Sequence, residues 1–160
     1  MQRNFETKKP MKSIKICLFL IAFALITSCV STKSTLKNVD NSLPRPKIEK
    51  SQIMNMEMSS DKKYGYNKDY PINIGFDPEK LAERNIGYYF NSLEGENSEK
   101  FTYVKIQDCC PFPTTRNAMG VGTLAIYEIT LEQSQKKVSL YFNIFDKGIL
   151  SCPVGFLIKK

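Results

Sequence analysis

Thr123-Leu124-Ala125-Ile126-Tyr127-Glu128-Ile129-Thr130-Leu131 and, six residues on, Val138-Ser139-Leu140-Tyr141-Phe142-Asn143-Ile144-Phe145 decide the fold class of this chain. The first run is apolar on both faces, with Leu124 and Ile126 on one and Ala125, Tyr127, Ile129 and Leu131 on the other, the composition of a central strand. The second alternates, with Val138, Leu140, Phe142 and Ile144 on one side. The polar stretch Glu132 to Lys137 joins them as a hairpin, and Asp146-Lys147-Gly148 predicts a further tight turn into Ile149-Leu150-Ser151-Cys152. Phe101 to Asp108 predicts a strand on the other side. Strands joined in succession by short turns predict an antiparallel meander of about four to six strands.

Upstream lies a helix signal. Pro71-Ile72-Asn73-Ile74-Gly75-Phe76 predicts a short edge strand, because a leading proline is tolerated at an edge. Asp77-Pro78-Glu79 then offers an N-cap, a proline for the first helical position and an acid in the first turn. Ala82, Ile86, Tyr89, Phe90 and Leu93 share one helical face, and Gly95 suits a stop. Gly87 inside costs about 1 kcal/mol against alanine. One helix on one face of a sheet is a two-layer α+β domain, expected from residue 61 to residue 160.

The other end carries an address. An apolar run from Ile16 to Ile26 follows Lys8, Lys9, Lys12 and Lys15 and ends in small residues. A membrane-spanning helix needs about 20 apolar residues, so this shorter run has the shape of an export signal. Met11-Lys12 would itself make an ordinary start for one. Ile26-Thr27-Ser28-Cys29 resembles a lipobox, the signal at which a bacterial prolipoprotein is lipidated on cysteine and cut before it. The expectation is therefore a signal peptide over 1–28, an acylated Cys29 (diacylglycerol and an N-acyl chain, with no other cofactor) and attachment to a membrane through that lipid. Residues 29–60, rich in Ser, Thr, Lys and Asn with Pro44 and Pro46, are expected to be a flexible tether. Within them Ile53, Met54, Met56 and Met58 are the exception, a candidate first strand with the three methionines on one face. Val30, Ser31, Thr32 and Lys33 include no acid, which favours the periplasmic side of the outer membrane.

The full chain has 23 basic and 16 acidic residues. The leader takes five of the former (Arg3, Lys8, Lys9, Lys12, Lys15) and one of the latter (Glu6), leaving a mildly basic remainder with lysines and acids interspersed. Nucleic-acid binding wants a clustered basic face, so no nucleic-acid partner is expected; an envelope protein or glycan is. No histidine occurs, which removes the usual neutral-pH base and the commonest metal ligand.

With Cys17 in the leader and Cys29 lipidated, Cys109, Cys110 and Cys152 remain. Adjacent strand residues point to opposite faces, so at most one of Cys109 and Cys110 can face Cys152. One structural disulfide, or small buried thiols, is the expectation. A vicinal Cys109–Cys110 bond and a three-thiolate metal or redox site are the alternatives. The stretch from Cys109 to Gly122 is expected to be an irregular loop, with Phe112, Thr115, Arg116 and Asn117 as candidate ligand contacts: Arg116 for an anion, Phe112 for stacking.

Asp61-Lys62-Lys63-Tyr64-Gly65-Tyr66, Cys109-Cys110-Pro111-Phe112-Pro113, Ile126-Tyr127-Glu128 and Gly148 to Phe156 resemble a group of small Gram-negative envelope lipoproteins. Members often carry the label 2-dehydro-3-deoxyphosphooctonate aldolase, so the resemblance implies that enzyme, joining phosphoenolpyruvate to arabinose 5-phosphate, as one alternative. Such an enzyme is a (β/α)₈ barrel of roughly 200–250 residues, whereas the residues here predict one helix in a shorter chain and match none of its motifs. The leading expectation is a non-catalytic binding or structural domain in the envelope; thiol-based metal or redox work is the other alternative.

Overall fold

The computed structural model describes residues 34–159. The expected signal peptide, the lipobox-like residues 26–28 and Cys29 lie outside the described residues. The protein is α+β, with one α-helix and ten short or long strands among the described residues. The largest sheet has four strands in the order β4 (Ile72–Asn73), β8 (Lys137–Asn143), β7 (Val121–Leu131) and β6 (Phe101–Pro113). β6, β7 and β8 are antiparallel, as the meander predicts, with Ile129 opposite both Tyr103 and Val138. β4 is the edge strand, but it runs parallel to β8, with Ile72 opposite Phe142.

A single meander is thus corrected to a mixed sheet with three small two-stranded pairs. β1 (Ile48–Glu49) pairs with β2 (Gln52–Ile53), β3 (Glu57–Met58) with β9 (Ser151–Cys152), and β5 (Leu93–Gly95) with β10 (Phe156–Ile158). The β3–β9 pair is parallel. The C-terminal segments therefore leave the main sheet, and partners distant in sequence take up their backbone groups.

Helix α1 spans Ala82–Asn91, preceded by a 3-10 turn over Glu79–Leu81. Ile86, Tyr89 and Phe90 are buried on its inner face. The Phe90 ring stacks on Tyr103 at 4.1 Å between centroids and meets Phe142 edge-on at 5.3 Å, so the helix lies across the face formed by β6, β7 and β8. Two expectations about its ends are corrected. Asp77 does not cap the helix; its carboxylate binds Arg45 and Arg84 instead. The helix stops at Asn91 rather than near Gly95, because Leu93–Gly95 is recruited as a strand by Phe156–Ile158.

Residues 34–60, expected as part of a flexible tether, are ordered against the domain. From residue 34 to residue 60 the chain is wound over the domain. Ile53 and Met56 belong to the main core. Gln52 Nε2 donates to the Asn91 carbonyl at 3.0 Å, serving an otherwise unpaired carbonyl at the end of α1, and Ser92 Oγ accepts from Ile53 N at 2.7 Å. The three methionines do not share a strand face: Asn55 has φ +58°, which breaks the run, and Met56 is buried while Met54 and Met58 are exposed.

A second, smaller core of Phe112, Leu124 and Phe145, with Leu36 packed against it, lies apart from the cluster under the helix. Between the strap of residues 34–43 and the sheet runs a buried polar network. Asn143 Nδ2 donates to Asn73 Oδ1 at 2.9 Å and to Asp146 Oδ2 at 3.2 Å; Asn73 Nδ2 donates to the carbonyls of Lys37 and Asn38 at 3.1 and 3.0 Å.

Candidate functional site

The interior acids and phenols serve the fold. Asp146 is 1% exposed, and its carboxylate accepts from Thr114 Oγ1 at 3.0 Å, Asn41 Nδ2 at 2.9 Å and Asn143 Nδ2. Glu99 Oε1 accepts from the backbone N–H groups of Gln133 and Ser134, both at 2.6 Å, pinning the β7–β8 turn; those bonds hold its carboxyl below the usual range. Tyr89 donates to the Ser151 carbonyl at 2.6 Å, and Tyr64 accepts from Ser151 N at 3.0 Å. Burial pushes the Tyr64 phenol up to about 12.

The candidate ligand loop is corrected in extent and in use. β6 runs on through Cys-Cys-Pro-Phe-Pro to Pro113, so the irregular part is only residues 114–120. Phe112 is a core residue, 6.2 Å from the Phe145 ring, and cannot stack on a ligand. Arg116 donates from Nε to the Phe145 carbonyl and from Nη2 to the Gly75 carbonyl, both at 3.2 Å, so its guanidinium staples two loops. Asn117 Oδ1 accepts from Met119 N within the turn. Thr115 alone keeps an open position, on a polar cleft of about 430 Å³ that Asp146, Asn41 and Thr114 also line.

The cysteines fall apart into two places. Cys109 and Cys110 are bonded to each other at an irregularity of β6, where Cys110 has φ +56°. Cys152 is free, fully buried on β9, and its thiol is pushed up to about 12 by burial. No disulfide joins Cys152 to either of the other two: Cys152 is a small buried thiol, as one expectation had it, and Cys109 and Cys110 form the vicinal bond that was the alternative. Among the described residues no group of three or more His, Cys, Asp or Glu gathers as a metal site would require.

A largely apolar groove of about 320 Å³ is of a size that takes a small ligand. Segments 43–47, 53–56 and 147–150 wall it, together with Asn73 of β4 and Phe76. Ile53 and Met56 are its buried apolar wall, and Met54 and Ile149 are exposed on it, Ile149 at 69%. Every charged side chain lining it is a cation: Arg45, Lys47 and Lys147.

No family model, curated protein or solved structure matches the chain.

Each cation in the groove is held differently. Arg45 forks onto Asp77 with two 3.0 Å bonds, and Arg84 takes the same carboxylate at 2.9 Å, so one acid serves two guanidinium groups and sits below its usual range, Arg45 being the main cause. Lys47 meets the exposed Glu49 at 2.6 Å. Lys147 Nζ donates to the neutral carbonyl of Leu43 and makes no ion pair among the described residues. The groove is not legible in the sequence because its residues are brought together from segments far apart in the chain. The one legible trace was the apolar cluster at Ile53, Met54 and Met56 inside a polar stretch.

Proposed function

We propose that this chain is an envelope lipoprotein, anchored through an acylated Cys29 on the periplasmic side of the outer membrane, whose domain binds an apolar ligand without transforming it. The observation that carries the binding reading is the groove: apolar walls, two methionines that adapt to irregular shapes and a wholly cationic charged lining. Asp146, Glu99 and Tyr89, interior groups that could serve as acids or bases, already hold the strap, the β7–β8 turn and β9. The anchor reading rests on Ile26-Thr27-Ser28-Cys29 at the end of the short apolar run. Close to Ser34 the strap joins the domain, so only a few residues would separate it from the lipid.

Metabolic labelling with an alkyne-bearing palmitate tests the anchor. Label is expected on the full chain and lost from Cys29→Ser, and label retained by that variant overturns it. Release of phosphate from phosphoenolpyruvate plus arabinose 5-phosphate by the same preparation would overturn the non-catalytic reading.

A further inference from the structure

We infer that the groove between segments 43–47, 53–56 and 147–150 takes a free fatty acid, a single medium-length acyl chain ending in a carboxylate, with Lys147 and Lys47 as the carboxylate contacts. This deepens the binding reading above and rests on it.

Three observations select this ligand class. First, the groove's volume of about 320 Å³ lies at the low end of small-molecule sites, room for one chain rather than two. Second, its walls offer little to a peptide. The β1–β2 backbone groups are already paired, Ile48 with Ile53 and Glu49 with Gln52, and Met54 N donates to the Lys47 carbonyl at 2.9 Å. Pro44 and Pro46 have no N–H to give. A ligand that needs no backbone ladder suits such walls. Third, the charge is of one sign. Lys147 is partly buried, and its ammonium donates to the neutral Leu43 carbonyl, with the Asp40 carboxylate near enough to feel its charge but not bonded to it, which leaves N–H donors for an anion; Lys47 is held by the exposed Glu49, which a ligand carboxylate would displace. A charge-assisted hydrogen bond from a partly desolvated ammonium is stronger than a neutral one, so an acid should be preferred over an alcohol of the same length.

The test uses the full chain in phosphatidylcholine vesicles with a photoactivatable diazirine analogue of lauric acid, followed by peptide mapping. Cross-links are expected on segments 43–56 and 147–150. Lauric acid should compete about ten-fold better than lauryl alcohol, and laurylamine worse than either. Ile149→Asp, at an exposed position on the groove, should abolish cross-linking with the circular dichroism spectrum unchanged. Lys147→Gln should erase the preference of acid over alcohol. Because Lys147 also ties Leu43, Lys47→Gln serves as the second variant, expected to reduce that preference several-fold with no loss of fold. Cross-links confined to other segments, equal competition by acid and alcohol, or full cross-linking of Ile149→Asp overturn the inference. So does stronger competition by a lysophospholipid than by lauric acid, which would assign the groove to a headgroup-bearing lipid. None of these outcomes alters palmitate labelling at Cys29, so a failed groove and a failed anchor are told apart.

Discussion

Gly148→Ala is the sharpest probe of how the strap is held. A Cβ at residue 148 would sit 2.3 Å from the Asn38 carbonyl oxygen and 2.9 Å from Asn73 Cβ. Bringing the oxygen to even 3.0 Å requires a retreat of about 0.7 Å. The Asn73 Nδ2 bond to that oxygen is 3.0 Å long, so a retreat away from Asn73 breaks it and strains its neighbour to Lys37. Overpacking costs about 1–3 kcal/mol and each weakened hydrogen bond about 1 kcal/mol. With two bonds affected the sum is about 3–5 kcal/mol, a large share of a typical domain's 5–15 kcal/mol. Urea unfolding gives the global loss, and hydrogen exchange reads the amide of Asp40, which donates to the Lys147 carbonyl at 2.7 Å. A strap that peels locally would show faster exchange at residues 37–43 with a smaller global loss. Gly87→Ala is the control: a Cβ there meets only the Tyr103 hydroxyl at 3.8 Å, and the variant should gain up to about 1 kcal/mol. A Gly148→Ala protein within about 0.5 kcal/mol of the parent, with unchanged exchange in the strap, would refute the close approach.

The remaining predictions concern the core, the orphan amide, pH and the thiols. Phe90→Ala removes the ring that touches Tyr103, Tyr127 and Phe142 and should cost about 3–5 kcal/mol in thermal or urea unfolding. Asn85 on α1 is buried with neither amide atom hydrogen-bonded among the described residues, so Asn85→Leu should raise stability by about 1–3 kcal/mol; a loss instead would mean that the amide has a partner after all. Glu99 and Asp77 have lowered carboxyl values, so their stabilisation is present above the ordinary carboxylate range and lost as pH falls through and below it; Glu99→Gln should flatten the acid limb of the stability curve measured between about pH 5 and 2. On the alkaline side Cys152 and Tyr64 are raised to about 12, so their contribution is whole below pH 9 and fades as pH rises towards 12. In a processed, lipidated chain, a thiol reagent in denaturant should find one thiol, Cys152, before reduction and three after it; three before reduction would rule out the Cys109–Cys110 bond.

Local pattern decided much of this protein. The double-sided apolar run of β7, the alternation of β8, the apolar face of α1 and the proline ahead of β4 each state an element type through side-chain period alone, and the structure keeps them. The lipobox resemblance is equally local, four residues at the end of an apolar run. What escaped the sequence depended on contacts between distant segments. The β1–β2 hairpin turns on Lys50 and Ser51, both at positive φ, without the Asn-Gly or Asp-Gly signal that such a turn normally shows. The strap looked like a tether because its few apolar groups could not form a core of their own; they complete cores supplied by residues far along the chain. Asp77 has the local look of a helix cap, yet two guanidinium groups from elsewhere outcompete the backbone for its charge. For the same reason the contacts that tie Arg116 to the Phe145 and Gly75 carbonyls and Phe112 to the Phe145 ring, and the walls of the groove, leave no mark in local sequence. Period and turn chemistry are properties of neighbours in sequence; which cation meets which acid, and which walls enclose a cavity, exist only once the chain has closed on itself.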